Sequence, residues 1–142
     1  MTALYVESSA VLSWIFNEPG SDSLIKIMNK ADICVSSVLT MLETERALLR
    51  AESAVLINSG DRLRLRGLFF EASSGWAFLE IYEEIRTRAA RSFPVEPIRS
   101  LDAIHLSTAL EFLQIYPDLR ILTLDKRILA NVVPLGLQSA LP

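Results

Sequence analysis

The chain predicts an α/β fold in three layers, a short and mostly parallel sheet flanked by helices. Short, almost wholly apolar segments such as Ala3-Leu4-Tyr5-Val6 and Ile121-Leu122-Thr123-Leu124 read as strands buried on both faces. Segments with helical apolar spacing separate them, as crossovers between parallel strands require. With 142 residues, 51% of them hydrophobic, the chain can bury a real core and fits a single domain over 1–142.

Ala3-Leu4-Tyr5-Val6 forms the first expected strand, and Ser8 or Ser9 can cap a helix running from Ala10 to Phe16. Pro19-Gly20 stops it. Ser21 caps the next helix, where Leu24, Ile25 and Met28 fall on one face, and Ile33-Cys34-Val35 is a second strand. Ser36-Ser37 opens a helix from Val38 to about Ile57. Gly60-Asp61 then marks a turn into another helix bearing Leu63, Leu65 and Leu68, so the two segments form a helical hairpin. Trp76 to Ile81 reads as a third strand and Tyr82 to Ala90 as a helix, with Pro94 and Pro97 bracketing the loop that follows. From Ser100 a mostly buried helix carries Leu101, Ile104, Leu106, Ala109, Leu110 and Leu113. The fourth strand, Ile121 to Leu124, runs into Asp125 and a short helix, and Val132 to Leu135 reads as a last edge strand.

Composition narrows the function. One cysteine excludes an internal disulfide framework, and one histidine excludes both a Cys/His zinc cage and a two-histidine acid–base ribonuclease. The start Met1-Thr2-Ala3-Leu4 lacks a basic segment, and no apolar run approaches the ~20 residues that span a bilayer, so a cytoplasmic, non-membrane location is expected. A net charge of −3 argues against bulk attraction to nucleic acid, which depends on clustered Lys and Arg. Arg62, Arg64 and Arg66, with Arg86, Arg88 and Arg91, form two local basic clusters, although solvated helix faces explain most such residues.

Parallel sheets place their sites at the carboxyl ends of the strands. Glu7 directly follows the first strand and Asp125 the fourth, so two carboxylates are expected at one edge. Each acid also has an ordinary explanation. Asp125 suits a helix cap, Asp102 the first turn of its helix, Glu43 a pairing with Arg46, and Glu7 a turn after a strand. His105, in a nearly all-apolar helix, reads as a buried, hydrogen-bonded imidazole, and Cys34 as core. Ser8 and Ser9 lack the glycines of a nucleophile elbow.

Taken together, four segments resemble the PIN-domain proteins, and among them the VapC-like toxins, over nearly the whole chain. Tyr5-Val6-Glu7-Ser8-Ser9-Ala10-Val11-Leu12 is similar to the family's opening strand, acid, Ser/Thr pair and helix. Leu42-Glu43, with Arg46-Ala47-Leu48 after it, resembles the second acidic motif. Leu101-Asp102-Ala103-Ile104-His105-Leu106 matches the most recognisable stretch, and Ile121-Leu122-Thr123-Leu124-Asp125 the fourth. The resemblance implies a three-layer PIN-like fold in which Glu7, Glu43, Asp102 and Asp125 converge on Mg²⁺ or Mn²⁺, with Ser8 and Thr123 as polar neighbours. It further implies an endoribonuclease toxin leaving a 5′-phosphate and a 3′-hydroxyl, silenced by a cognate antitoxin and commonly a homodimer. Hard oxygen donors suit these cations, and a cation offsets the repulsion among clustered carboxylates.

The family usually carries Asp where this chain has Glu7, whose extra methylene moves the carboxylate outward by about one bond length. A second reading is therefore a catalytically weakened or inactive antitoxin-binding protein. A third, a phosphatase-type hydrolase with an acid after the first strand, lacks its Asp-x-Asp pattern because position 9 is Ser. Partner contact is expected on the hairpin around Leu63, Leu65, Leu68, Phe69 and Phe70, residues that equally suit a core face.

Overall fold

The computed structural model describes residues 1–142. Strands β1 (Ala3–Val6), β2 (Ile33–Ser37), β3 (Ala77–Leu79), β4 (Arg120–Leu122) and β5 (Gln138–Ser139) form one sheet in the order β3-β2-β1-β4-β5. All four pairings are parallel, with Leu4 opposite Cys34 and Tyr5 opposite Ile121 in register. Helices α1 (Ser8–Ile15), α2 (Ser21–Lys30), α3 (Val38–Ser53), α4 (Ser59–Ala72), α5 (Glu83–Ala89), α6 (Ser100–Ile115) and α7 (Lys126–Val132) supply the crossovers.

Successive strand residues point to opposite faces, and β1 divides its side chains accordingly. Ala3 and Tyr5 join Ala103, Leu106, Phe112, Ile128 and Val132 of α6 and α7 in one core. Leu4 and Val6 join Val11, Leu24, Leu48, Leu65 and Phe69 of α1 to α4 in the other. The three-layer arrangement expected from the apolar strands is thus present, with a sheet that is parallel throughout.

Several boundaries differ from the sequence expectation, each for a local reason. Helix α1 is capped by Glu7 rather than by Ser8 or Ser9, because the Glu7 side chain accepts from the Ser9 amide. Ser21 is the first residue of α2, preceded by Gly20 at φ 88°, a left-handed conformation that glycine adopts without strain. Gly60 and Asp61 lie inside the first turn of α4. Asn58 caps that helix, and Asp61 returns the bond to the Asn58 amide in a capping box. The third strand shrinks to three residues because β3 is an edge strand with β2 alone to pair with. The fourth leaves the sheet after Leu122, as Thr123 and Leu124 lead to the Asp125 cap of α7. Val132 to Leu135 is not a strand. Leu135, Gly136 and Leu137 donate back to Asn131, Val133 and Val132, closing the end of α7, and Pro134 has no N–H for a ladder. The last edge strand is Gln138–Ser139.

Helix α3 ends at Ser53 rather than near Ile57, and Val55 follows at φ 61° while 87% exposed. A β-branched side chain is strained there, by roughly 1–2 kcal/mol for an L-residue. Val55→Asn, which keeps the amide that donates to Glu52, is expected to raise stability by about 1 kcal/mol. The check is a higher urea midpoint at unchanged slope; an unchanged or lower midpoint would refute the strain.

Candidate active site

The strand order reverses at β1, which has β2 on one side and β4 on the other. Such a switch point opens a crevice at the carboxyl ends of the strands. The Glu7 amide donates to the Leu122 carbonyl at 3.0 Å, which sets Glu7 beside Thr123. The other prominent cleft, lined by Lys30, Asp118, Arg120 and Gln138, opens at the amino ends of the strands, away from these acids.

Glu7 is buried, and both its carboxylate oxygens are engaged. Oε1 accepts from the Ser9 and Thr123 hydroxyls, each at 2.5 Å, while Oε2 accepts from the Ser8 hydroxyl at 2.7 Å and the Ser9 amide at 3.0 Å. The extra methylene relative to Asp is therefore taken up by folding the carboxylate back over the start of α1. Ser9, whose hydroxyl also accepts from the Leu124 amide at 2.8 Å, ties α1 to the end of β4.

Glu43, on the second turn of α3, reaches the same point from the other side. Its Oε1 lies 2.8 Å from the Ser8 hydroxyl and 2.6 Å from His105 Nε2. Glu7, Glu43 and His105 each bring one ligand-capable atom within 4.8 Å of the others. Burial works to raise the pKa of Glu43. The His105 hydrogen bond and charge, with the Ser8 bond and the charge of Arg50, outweigh it and hold the carboxyl below its ordinary value.

Asp102 and Asp125 stand outside that tight group. Asp102 is buried in the first turn of α6, where its Oδ2 accepts from the Arg99 amide at 3.2 Å. Burial, followed by the Asp125 and Glu7 carboxylates, raises its pKa against the Arg99 bond and the charge of Arg127. Asp125 caps α7, its Oδ1 accepting from the amides of Arg127 and Ile128 at 2.9 and 3.0 Å. The helix-cap and first-turn explanations of these two acids therefore hold alongside their placement near one another. Glu43, Asp102 and Asp125 share a pattern, in which the fold anchors one carboxylate oxygen and the other accepts no protein hydrogen bond.

His105 is a buried, hydrogen-bonded imidazole, as its apolar helix suggested, yet it also touches the acids. Tyr5 behind it is a member of the network that sequence reasoning missed; a strand tyrosine inside an apolar run carries no polar signal. Cys34 is core, and burial pushes its thiol up to about 11. The two arginine clusters are largely occupied. Arg62 pairs with Glu52, Arg66 with Glu45 and Arg64 with Asp61, Arg86 donates to the Ile81 carbonyl, and Arg88 lies over the Phe93 ring. The cations whose fields reach the acids are instead Arg50 and Arg127.

On the hairpin, Leu65 and Phe69 are core, whereas Leu63 and Leu68 are exposed together with Leu42 and Leu49 of α3. Leu101, expected within the buried face of its helix, is exposed beside Asp102. No helix is long and apolar enough to cross a membrane.

The PIN domain family model matches residues 4–133. Ribonuclease VapC46 of Mycobacterium tuberculosis (strain ATCC 25618 / H37Rv) is 34% identical to this chain over 109 residues, covering 77% of this chain and 75% of that protein. Those matches, on a parallel sheet whose switch point holds Glu7 and Glu43 beside His105, establish that this chain belongs to the PIN-domain family, among its VapC-like ribonucleases.

Proposed function

We propose that this protein, as one PIN-like domain over residues 1–142, is an Mg²⁺- or Mn²⁺-dependent endoribonuclease toxin. A small cognate antitoxin neutralises it, and it works in the cytoplasm as a homodimer. The observation that carries the reading is the clustering of Glu7 and Glu43 with His105 at the switch point, beside a buried Asp102 whose pKa is raised by burial and then by the Asp125 and Glu7 carboxylates. An all-oxygen donor set of this charge fits a hard divalent cation, which would offset the repulsion. Glu43, Asp102 and Asp125 would hold it through their free oxygens. Glu7, with both oxygens engaged, acts from behind by way of Ser8, Ser9 and Thr123.

Bound there, such a cation would supply a water of lowered pKa and charge stabilisation for the departing oxygen. The protein's own part is positioning. The Ser8 hydroxyl sits between Glu7 and Glu43 and can donate its one hydrogen to either carboxylate. Asp125 is fixed by the helix it caps, and Asp102 by the Arg99 amide. Arg50 and Arg127 flank the acids and guide an RNA backbone toward them despite the net charge of −3. The exposed leucines of α3 and α4 are the surface offered to the antitoxin or to a second copy.

Purified, antitoxin-free protein incubated with total cellular RNA is expected to give discrete fragments with Mg²⁺ or Mn²⁺ and none with EDTA. Intact RNA under every metal condition would refute the catalytic reading. The saturated carboxylate of Glu7 favours one alternative, a weakened or inactive PIN-fold protein that still binds its antitoxin.

A further inference from the structure

We infer that His105 is a positioning residue, which fixes the Glu43 carboxylate so that one oxygen is held by protein and the other faces the acidic pocket. The inference rests on the metal-dependent reading above. His105 is 1% exposed, on a helix whose neighbouring positions Ala103, Leu106 and Ala109 are all core. An imidazole is costly to bury unless both ring nitrogens find partners, and both do. Nδ1 lies 2.8 Å from the Tyr5 hydroxyl, and Nε2 lies 2.6 Å from Glu43 Oε1.

These partners determine where the proton sits. Glu43 as a carboxylate can only accept, so Nε2 carries hydrogen. In the neutral ring Nδ1 must then accept, and the Tyr5 hydroxyl is its donor. Tyr5 is fully buried in β1, its ring edge-on to His105 with centroids 6.0 Å apart, so it fixes both the tautomer and the ring plane. The neutral ring thus orders donation from Tyr5 to His105 to Glu43, and the charged ring keeps the same N–H toward Glu43 while Nδ1 donates to Tyr5. A ring nitrogen set by a second partner is a familiar means of orienting metal ligands; here the oriented ligand is the carboxylate.

The consequence falls on Glu43. His105 and Ser8 both engage Oε1, at 2.6 and 2.8 Å, and Oε2 receives no protein hydrogen bond. The Glu43 side chain is 26% exposed on a helix surface, where an unclamped glutamate would sample several rotamers. With His105 in place the carboxylate is held before any ligand arrives, which lowers the entropic cost of binding.

The experiment compares wild type with His105→Leu, His105→Gln and Tyr5→Phe. It reads Mn²⁺ affinity from the free-ion electron paramagnetic resonance signal, RNA cleavage as a function of Mn²⁺, and melting temperature. Leucine fills the space without a donor, and the glutamine amide restores an N–H close to the Nε2 position. His105→Leu is expected to weaken Mn²⁺ binding by about tenfold or more, and to raise the Mn²⁺ needed for half-maximal cleavage in proportion, with the KM for RNA at saturating Mn²⁺ unchanged. His105→Gln recovers most of the affinity, and Tyr5→Phe loses a smaller part. Should His105→Leu fail to fold, the other two variants decide the matter. Wild-type Mn²⁺ affinity in folded His105→Leu would overturn the inference, as would a glutamine variant no better than leucine, or undiminished affinity in Tyr5→Phe. Wild type that binds Mn²⁺ but cuts no RNA would sink the ribonuclease reading and leave this one standing. Wild type that binds no Mn²⁺ would overturn both.

Discussion

Asp102→Asn is expected to lower the cleavage rate by about a thousandfold or more, roughly 4 kcal/mol of transition-state stabilisation, while leaving the metal-free protein more stable than wild type. The two effects share one cause. Burial and the neighbouring Asp125 and Glu7 carboxylates raise the Asp102 pKa, so the folded state holds the Asp102 proton more tightly than the unfolded state does. Stability contributed by the protonated form is therefore lost as pH rises from the ordinary carboxylate value through the raised one. At neutral pH the ionised group works against folding. Asparagine has no charge to repel, and its side-chain oxygen can still accept from the Arg99 amide. In the wild type, Mg²⁺ or Mn²⁺ is expected to bind the folded state alone and so to raise the melting temperature, and in the variant to raise it much less. Two measurements suffice, fragment yield on RNA and melting temperature with and without metal. Wild-type cleavage by the variant would remove Asp102 from the site. A lower metal-free melting temperature would mean that its local hydrogen bonding outweighs the repulsion.

Phe69→Ala is expected to cost about 3–5 kcal/mol and to lower the melting temperature by roughly 10 °C. Phe69 is fully buried, with edge-on contacts to Phe70 and Trp76 at 5.3 and 6.0 Å between ring centroids. It carries α4 into the core built on Leu4, Val6 and Leu122, so the vacated volume would lie beneath the sheet, where relaxation is limited. Leu63→Ser on the same helix should stay within about 0.5 kcal/mol of wild type, as exposed substitutions do. Denaturant unfolding of the two variants side by side tests the division of the hairpin into core and free surface. Equal losses would refute it.

That division shows where sequence reading stops. Leu63, Leu65, Leu68 and Phe69 are indistinguishable as apolar helix residues; only the packing partner decides that two of them are core. Strands β1, β2 and β4 were legible because burial on both faces leaves them almost wholly apolar, and Glu7 and Asp125 because each ends such a run. Of the edge strands, the apolar β3 was legible but drawn too long, whereas β5 was not, being two residues whose polar Gln138 and Ser139 resemble a loop. Caps were misplaced where a less usual residue did the work. Glu7 took the place of the serines beside it because its longer side chain can fold back to the Ser9 amide. The contact between Tyr5 and His105 spans a hundred positions, and no local pattern encodes it.

The bond from Thr123 to Glu7 joins residues separated by 116 positions, and that separation sets a timetable for a chain made from its amino end. In chain order Glu7, Glu43, Asp102 and His105 all precede β4, and Thr123 and Asp125 follow it. The acidic pocket lacks a wall until β4 slots in beside β1. A copy of the chain that ends before β4 is thus expected to leave RNA uncut.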